Sequence, residues 1–258
     1  MNIGVSTASF YPLETEEALK EIGRNGVKTT EIFFNAQCEL KPAFIDLLKD
    51  ITDEYGINVK AIHPTLSLAE PFAIFSSYER RFYESLETFS RYSEIAAEFG
   101  AKYIILHGGR PDLKMTDEEY CERYMALKHA TLKNGVTVLQ ENVVNYRAGN
   151  IEFMRAMCDI LGNDAEFCFD IKQSVRCGYP PLDLVEEFKD YIYHYHISDH
   201  SIAGDCFLPG NGGFDFSTLF EMLKEANKDL SFIIEVYSNA YKDYSEIFES
   251  YEQILNLM

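Results

Sequence analysis

Three carboxylates and one imidazole in the second half of this 258-residue chain occupy matching places in short apolar runs. Glu141 closes VTVLQEN, Asp170 lies in EFCFDIKQ, His196 in YIYHYHISD and Glu235 in SFIIEVYS. Such a set suits one divalent ion of intermediate hardness: Mn²⁺, Co²⁺, Mg²⁺ or Zn²⁺. Clustered carboxylates without an ion would raise one another's pKa values, and a dication removes that cost. Glu141 and Glu235 are also the right groups to take a proton from carbon and return it. A lone Asp or Glu of this kind is usually a helix cap or a surface charge, and a lone His a hydrogen-bonded core residue. Four in succession, in runs apolar enough to be buried, point instead to one shared site.

The earlier runs carry similar groups. NIGVST closes on Ser6 and Thr7, VKTTEIFF carries Glu31, INVKAIHP carries His63 and AKYIILHGG carries His107. His63 and His107 are expected to face the same cavity and to hold a second metal or a substrate oxygen. His194 is two residues before His196 and so shares its side of a strand. It is expected deeper, in the shell that supports the ligands. Asp199 is expected in that shell too, orienting His196 or a neighbour. Lys172, Gln173, Arg110 and Arg176 are candidates for contact with substrate, as is Arg147. Lys172, two residues beyond Asp170, is also a candidate proton donor.

These residues need a frame that brings eight strand ends together. Between the runs lie amphipathic stretches with helix signals. Helices are expected to open at Glu14–Glu17, Lys41-Pro42, Ser77, Thr116–Glu119, Asn150, Pro180–Asp183, Asp215–Ser217 and about Tyr241. Glycine follows five of them, as a left-handed cap requires. Strands alternating with helices imply parallel βαβ units, and eight such units close into a (β/α)8 TIM barrel. The length suits one such barrel spanning residues 1–258. The active site of that fold lies at the carboxyl ends of its strands. The glycine-rich loop from His200 to Gly213 is long enough to form part of a lid, and its Gly210–Gly213 run could offer N–H groups to an anion.

Composition narrows the partners. The net charge of −19 repels polyphosphate and argues against nucleic acid. No run approaches the roughly 18 apolar residues of a membrane span. The N-terminus lacks the basic and apolar regions of a signal peptide, so a cytoplasmic protein is expected. Six cysteines with no CxxC spacing read as reduced thiols.

The chain resembles the xylose isomerase-like TIM-barrel superfamily, which includes sugar phosphate isomerases/epimerases, ketose 3-epimerases and endonuclease IV. The resemblance covers essentially the whole chain. It rests on Leu106-His107-Gly108-Gly109, Gln140-Glu141-Asn142, Phe169-Asp170, His196-Ile197-Ser198-Asp199, Pro209-Gly210-Asn211-Gly212 and Ile234-Glu235. It implies that Glu141, Asp170, His196 and Glu235 bind one divalent metal, and that the two glutamates act as acid and base. Many members read Asp-x-x-His where this chain has Asp170-Ile171-Lys172-Gln173. Asp205-Cys206-Phe207 replaces the Asp-x-His pair that, with that histidine, holds a third zinc in endonuclease IV.

The expected function is a metal-dependent isomerase or epimerase of a small sugar, sugar phosphate or polyol. Proton transfer would pass through a metal-held enediolate. No organic cofactor is expected, and self-association into a homo-oligomer is left open. The alternative is a dehydratase, or lyase, of a polyol ketone or dehydroshikimate on the same scaffold. A non-catalytic sugar binder and an endonuclease IV-like phosphodiesterase rank lower.

Overall fold

The structure, a computed structural model, describes residues 1–64, 69–226 and 228–258. Among the described residues there are ten strands: β1 (Asn2–Ser6), β2 (Thr29–Phe33), β3 (Asn58–His63), β4 (Tyr103–Leu106), β5 (Thr137–Glu141), β6 (Phe167–Asp170), β7 (Ile192–Ile197), β8 (Asp199–Ser201), β9 (Gly204–Phe207) and β10 (Ser231–Ile234). Eight of them close a parallel barrel in the order β1-β10-β7-β6-β5-β4-β3-β2. The chain is a (β/α)8 barrel, with helices between its staves.

The helices start and stop for local reasons. Thr116 and Glu119 form a reciprocal capping box that opens the helix Asp117–Leu132. Gly56, at φ 61°, ends Pro42–Tyr55 in the left-handed conformation that a side chain disfavours. The last helix opens at Ser245 rather than at the expected Tyr241. A short helix, Ile171–Arg176, follows β6 directly because Asp170 caps it by accepting from the Gln173 N–H. In the glycine-rich loop after β7, β8 and β9 form an antiparallel hairpin.

The staves alternate between two environments. Ile104 and Leu106 of β4 join the large core shared with the helices, whereas Ile105 joins a separate inner cluster with Ala61, Leu139 and Cys168. Two residues beyond the members of that cluster come His63, His107, Glu141 and Asp170. The pairs His194/His196 and Ile233/Glu235 take the same step on β7 and β10. One strand period therefore lifts each chain from an inner layer to the carboxyl-end mouth.

The inner layer is tight at β1. A Cβ on Gly4 would lie 2.2 Å from the Thr29 carbonyl oxygen and 3.0 Å from Ile233 Cδ1. Gly4→Ala must spread β1 from β2. Overpacking of a core commonly costs about 1–3 kcal/mol, and a backbone clash belongs at or above the upper end. Urea unfolding of Gly4→Ala should show that loss; a midpoint equal to wild type would contradict the close approach.

Candidate metal centre and cavity

His196 stands at the middle of the mouth and is fully buried. Its Nδ1 lies 3.1 Å from Glu141 Oε1, 3.7 Å from Glu235 Oε2 and 3.8 Å from Asp170 Oδ2. Its Nε2 lies 3.1 Å from Glu31 Oε2. The same Glu31 oxygen lies 3.0 Å from His194 Nε2, and His194 Nδ1 lies 2.6 Å from Ser231 Oγ. Glu31 therefore fixes His196 from beneath and leaves Nδ1 aimed at the three carboxylates. Burial alone would lower the pKa of His196, but Cys168, Glu235 and Glu31 hold it well above the usual histidine value. The opposite balance holds for Glu31: burial would raise it, and the two imidazoles keep it well below the carboxylate range.

The three carboxylates are placed by neighbours the sequence also encodes. Asn142 clamps β5 to β6: its Nδ2 donates to the Asp170 carbonyl (3.1 Å), and the Asp170 N–H donates to its Oδ1 (2.7 Å). Asp170 Oδ1 caps the Gln173 N–H at 3.0 Å, so Oδ2 is the oxygen turned to the centre. Glu235 is tied through its backbone to Ile197 (3.1 Å), while Ser9 bridges Ile234 and Val236 on either side. Lys172 Nζ contacts Asp170 Oδ2 and lies 3.4 Å from Glu235 Oε1.

One ligand atom from each of Glu141, Asp170, His196 and Glu235 lies within 4.8 Å of the others. Glu235 Oε2 has no hydrogen-bond partner among the described residues. Three carboxylate oxygens and an imidazole nitrogen converging on one point, one of the oxygens unpaired, fit a divalent cation. Expected as ligands, these four residues are brought together.

His63 and His107 join the centre through Glu141. His107 Nε2 is 3.1 Å from Glu141 Oε2 and 3.0 Å from His63 Nε2, and the three residues form a second cluster of ligand atoms within 4.8 Å. Burial and the neighbouring His107 push the His63 pKa down to about 4, so this ring is neutral. Burial would also lower His107, but Glu141 raises it. The His107-Gly108-Gly109 turn is held by Gln140 Nε2 donating to the His107 carbonyl (2.9 Å) and by the Gly108 N–H donating to Glu70 Oε2 (2.8 Å). Gly108, at φ 89°, has Tyr120 Oη 2.1 Å from where a Cβ would stand.

A cavity of about 390 Å³ opens above this centre. Glu141, Glu235, His63 and His107 line it below, and Tyr11, Phe33 and Tyr237 give it aromatic walls. Lys172 and Gln173 line it too, with Gln173 Oε1 also accepting from the Val144 N–H at 3.1 Å.

Other expected contacts are spent elsewhere. Asp199 does not orient His196. It lies beyond the end of β7, and its carboxylate accepts the N–H groups of His200, Gly210, Gly212 and Phe214 at 2.7–3.0 Å. The glycine run thus serves the chain's own carboxylate rather than an external anion. Arg176 is held by two bonds to Asp205 (2.7 and 3.1 Å) and donates to Tyr237 Oη, so it braces the cavity wall. Arg110 turns outward after the glycine turn to Asp112, 3.5 Å away, and is half exposed. Arg147 pairs with Asp117. His194 supports Glu31 and lies below the candidate ligands. Glu31 had no assigned part in the sequence reading, although a carboxylate in the middle of a buried strand is itself a signal that a partner waits inside. Tyr11, Phe33 and Tyr237 carry no such signal. None of the six cysteines is paired, and among the described residues no helix is long and apolar enough to cross a membrane.

Comparison with known proteins agrees with this architecture. The crystal structure of 3-keto-D-glucoside 4-epimerase, YcjR, from E. coli is 19% identical, with a TM-score of 0.78 and 99% of each chain covered. The probable 3-DHS dehydratase AsbF from Bacillus anthracis is 14% identical, with a TM-score of 0.76 and 99% of each chain covered. The IOLI protein, solved with a binding zinc atom, is 17% identical, with a TM-score of 0.77, over 100% of this chain and 98% of that one. At such identities the likeness carries the fold. A family profile reaches further: that of the xylose isomerase-like TIM barrel matches residues 17–254, and the chain belongs to this family.

Proposed function

We propose that this barrel is a divalent-metal-dependent isomerase or epimerase of a small, uncharged sugar or polyol. Glu141, Asp170, His196 and Glu235 would hold the ion, and Glu141 and Glu235 would exchange the proton beside a carbonyl. The observation that carries the reading is the convergence of those four side chains beneath a cavity of monosaccharide scale. A bound dication supplies Lewis-acid polarisation of substrate oxygens.

The chain's own residues account for the rest. β6 and β7 separate β5 from β10 in the barrel order, so Glu141 and Glu235 reach the centre from opposite sides. Each has one oxygen near His196 and a second turned to a neighbour, His107 for Glu141 and Lys172 for Glu235. Two carboxylates placed in this way can serve the two faces of a planar intermediate, which is what inversion at carbon requires. His63 and His107 line the cavity beside Glu141 and would meet substrate oxygens there. The aromatic walls suit the apolar face of a sugar ring and shield the reaction from water.

Electrostatics favours an uncharged substrate. Barrels of this class often seat phosphate in the loops after the last strands. Here Asp199 fills the N–H cradle of that region and Asp205 ties Arg176. A dehydratase among the structural neighbours supports a second reading, in which the same carbanion-like state expels water.

Solvent deuterium uptake, with Mn²⁺ present, should be followed in ketoses, keto-inositols and their phosphates. Wild type should label a free compound, and Glu141→Gln and Glu235→Gln should each slow this by about 10²–10⁴-fold. Labelling that survives in both variants would remove the assigned roles; water loss in place of inversion would establish the lyase. The same panel should show each phosphate ester turning over more slowly than its parent compound. Equal or faster turnover of the esters would remove the uncharged-substrate assignment. A third outcome concerns Glu31. Glu31→Gln should weaken Mn²⁺ binding by about 10–100-fold, the usual effect of losing the group that orients a ligating histidine. Calorimetric titration reads this directly, and unchanged affinity would show that His196 needs no such support.

A further inference from the structure

We infer that Lys172 is an internal competitor for the metal seat. Its ammonium sits against Asp170 and Glu235 and must release Asp170 towards the cavity when a divalent ion enters. The inference rests on the metal-dependent reading above.

The argument starts from the one free oxygen of Asp170. Oδ1 caps the helix Ile171–Arg176 and cannot leave without uncapping it. Oδ2 is therefore the oxygen for an ion, and it lies 3.8 Å from His196 Nδ1. Lys172, on the first turn of the same helix, contacts that same oxygen. Its Nζ also lies 3.4 Å from Glu235 Oε1, on a second candidate ligand. The side chain is 2% exposed, so solvent does not share the charge.

Charge makes the competition consequential. Glu141, Asp170 and Glu235 bring three negative charges to the centre; a dication held by neutral His196 would match two of them, and the ammonium matches the third only if it stays nearby. Lys172 can stay, because it lines the cavity and its Nζ is 5.6 Å from the centroid of the Tyr237 ring, a face that accepts a cation. Displaced from Asp170, it becomes a positive group facing the substrate. Lys172 is thus a positioning residue that sets how tightly the centre binds metal.

The test is calorimetric titration of Mn²⁺ into EDTA-stripped, dialysed wild type, Lys172→Met and Lys172→Arg, with thermal unfolding in EDTA and in Mn²⁺. Lys172→Met should bind Mn²⁺ about tenfold more tightly or better, because the competing charge is gone. Its unfolding temperature in EDTA should fall, and the rise on adding Mn²⁺ should exceed that of wild type. Lys172→Arg should stay within about threefold of wild type in affinity. A lysine that only packs would lower stability equally in EDTA and in Mn²⁺ and leave affinity unchanged; that result overturns the inference and leaves the metal reading intact. Uptake by Lys172→Met but not by wild type would support the competition and overturn the metal dependence of the natural chain. Uptake by neither overturns both. Should Lys172→Met fail to fold, Lys172→Gln in the same titration decides.

Discussion

Negative charge buried at the barrel mouth is the constraint on which the rest of the structure depends. Glu31, Glu141 and Asp170 are almost wholly removed from solvent, and Glu235 stands beside them. Each needs a partner, since stripping one member from a buried pair typically costs about 3–5 kcal/mol. The partners are shared rather than private. His196 serves Glu31 and Glu141, His107 serves Glu141, and Lys172 serves Asp170 and Glu235. Four carboxylates hold together with few cations only because they lie around common ones. That economy leaves the centre short of positive charge, a deficit suited to a dication.

Much of this was legible in the sequence, and the reason is geometric. A strand repeats every two residues, so an apolar inner residue such as Leu139 or Ile233 announces that the residue two places on shares its face. Glu141 and Glu235 could be assigned in this way, as could His63 and His107. The closed parallel barrel followed from eight such runs alternating with capped helices. Asp199 marks where the rule stops. β7 ends at Ile197, and beyond it the residue is governed by the hairpin and the glycine turn. Its bonds to backbone N–H groups up to 15 residues away leave no periodic trace. Arg110 and Arg176 fail for a related reason: long side chains after a strand end go where the nearest free carboxylate stands, and that is decided in three dimensions. Glu31 shows the converse, a residue visible as an anomaly whose partner lay 163 positions away.

Gln173 illustrates how a departure from a family pattern is absorbed. The family resemblance implies histidine there. In this chain the amide braces Val144, the second residue after Asn142, and so helps fix the turn beyond Glu141. The position adjacent to it, Lys172, carries the cation that the pocket would otherwise lack. The distinctive chemistry of this barrel is therefore concentrated on the first turn of one six-residue helix, set directly on a candidate ligand.

The candidate ligands are unevenly distributed along the chain. All four come from β5, β6, β7 and the residue after β10, a contiguous span in the second half. The groups that orient or extend the centre, Glu31, His63 and His107, come from the first half. A chain severed within the helix Asp117–Leu132 would keep every ligand on one fragment and lose the carboxylate that aims His196. Metal affinity in such a pair of fragments would then report on the docking of two half-barrels. The centre is built as a joint, with coordination on one side of the seam and alignment on the other.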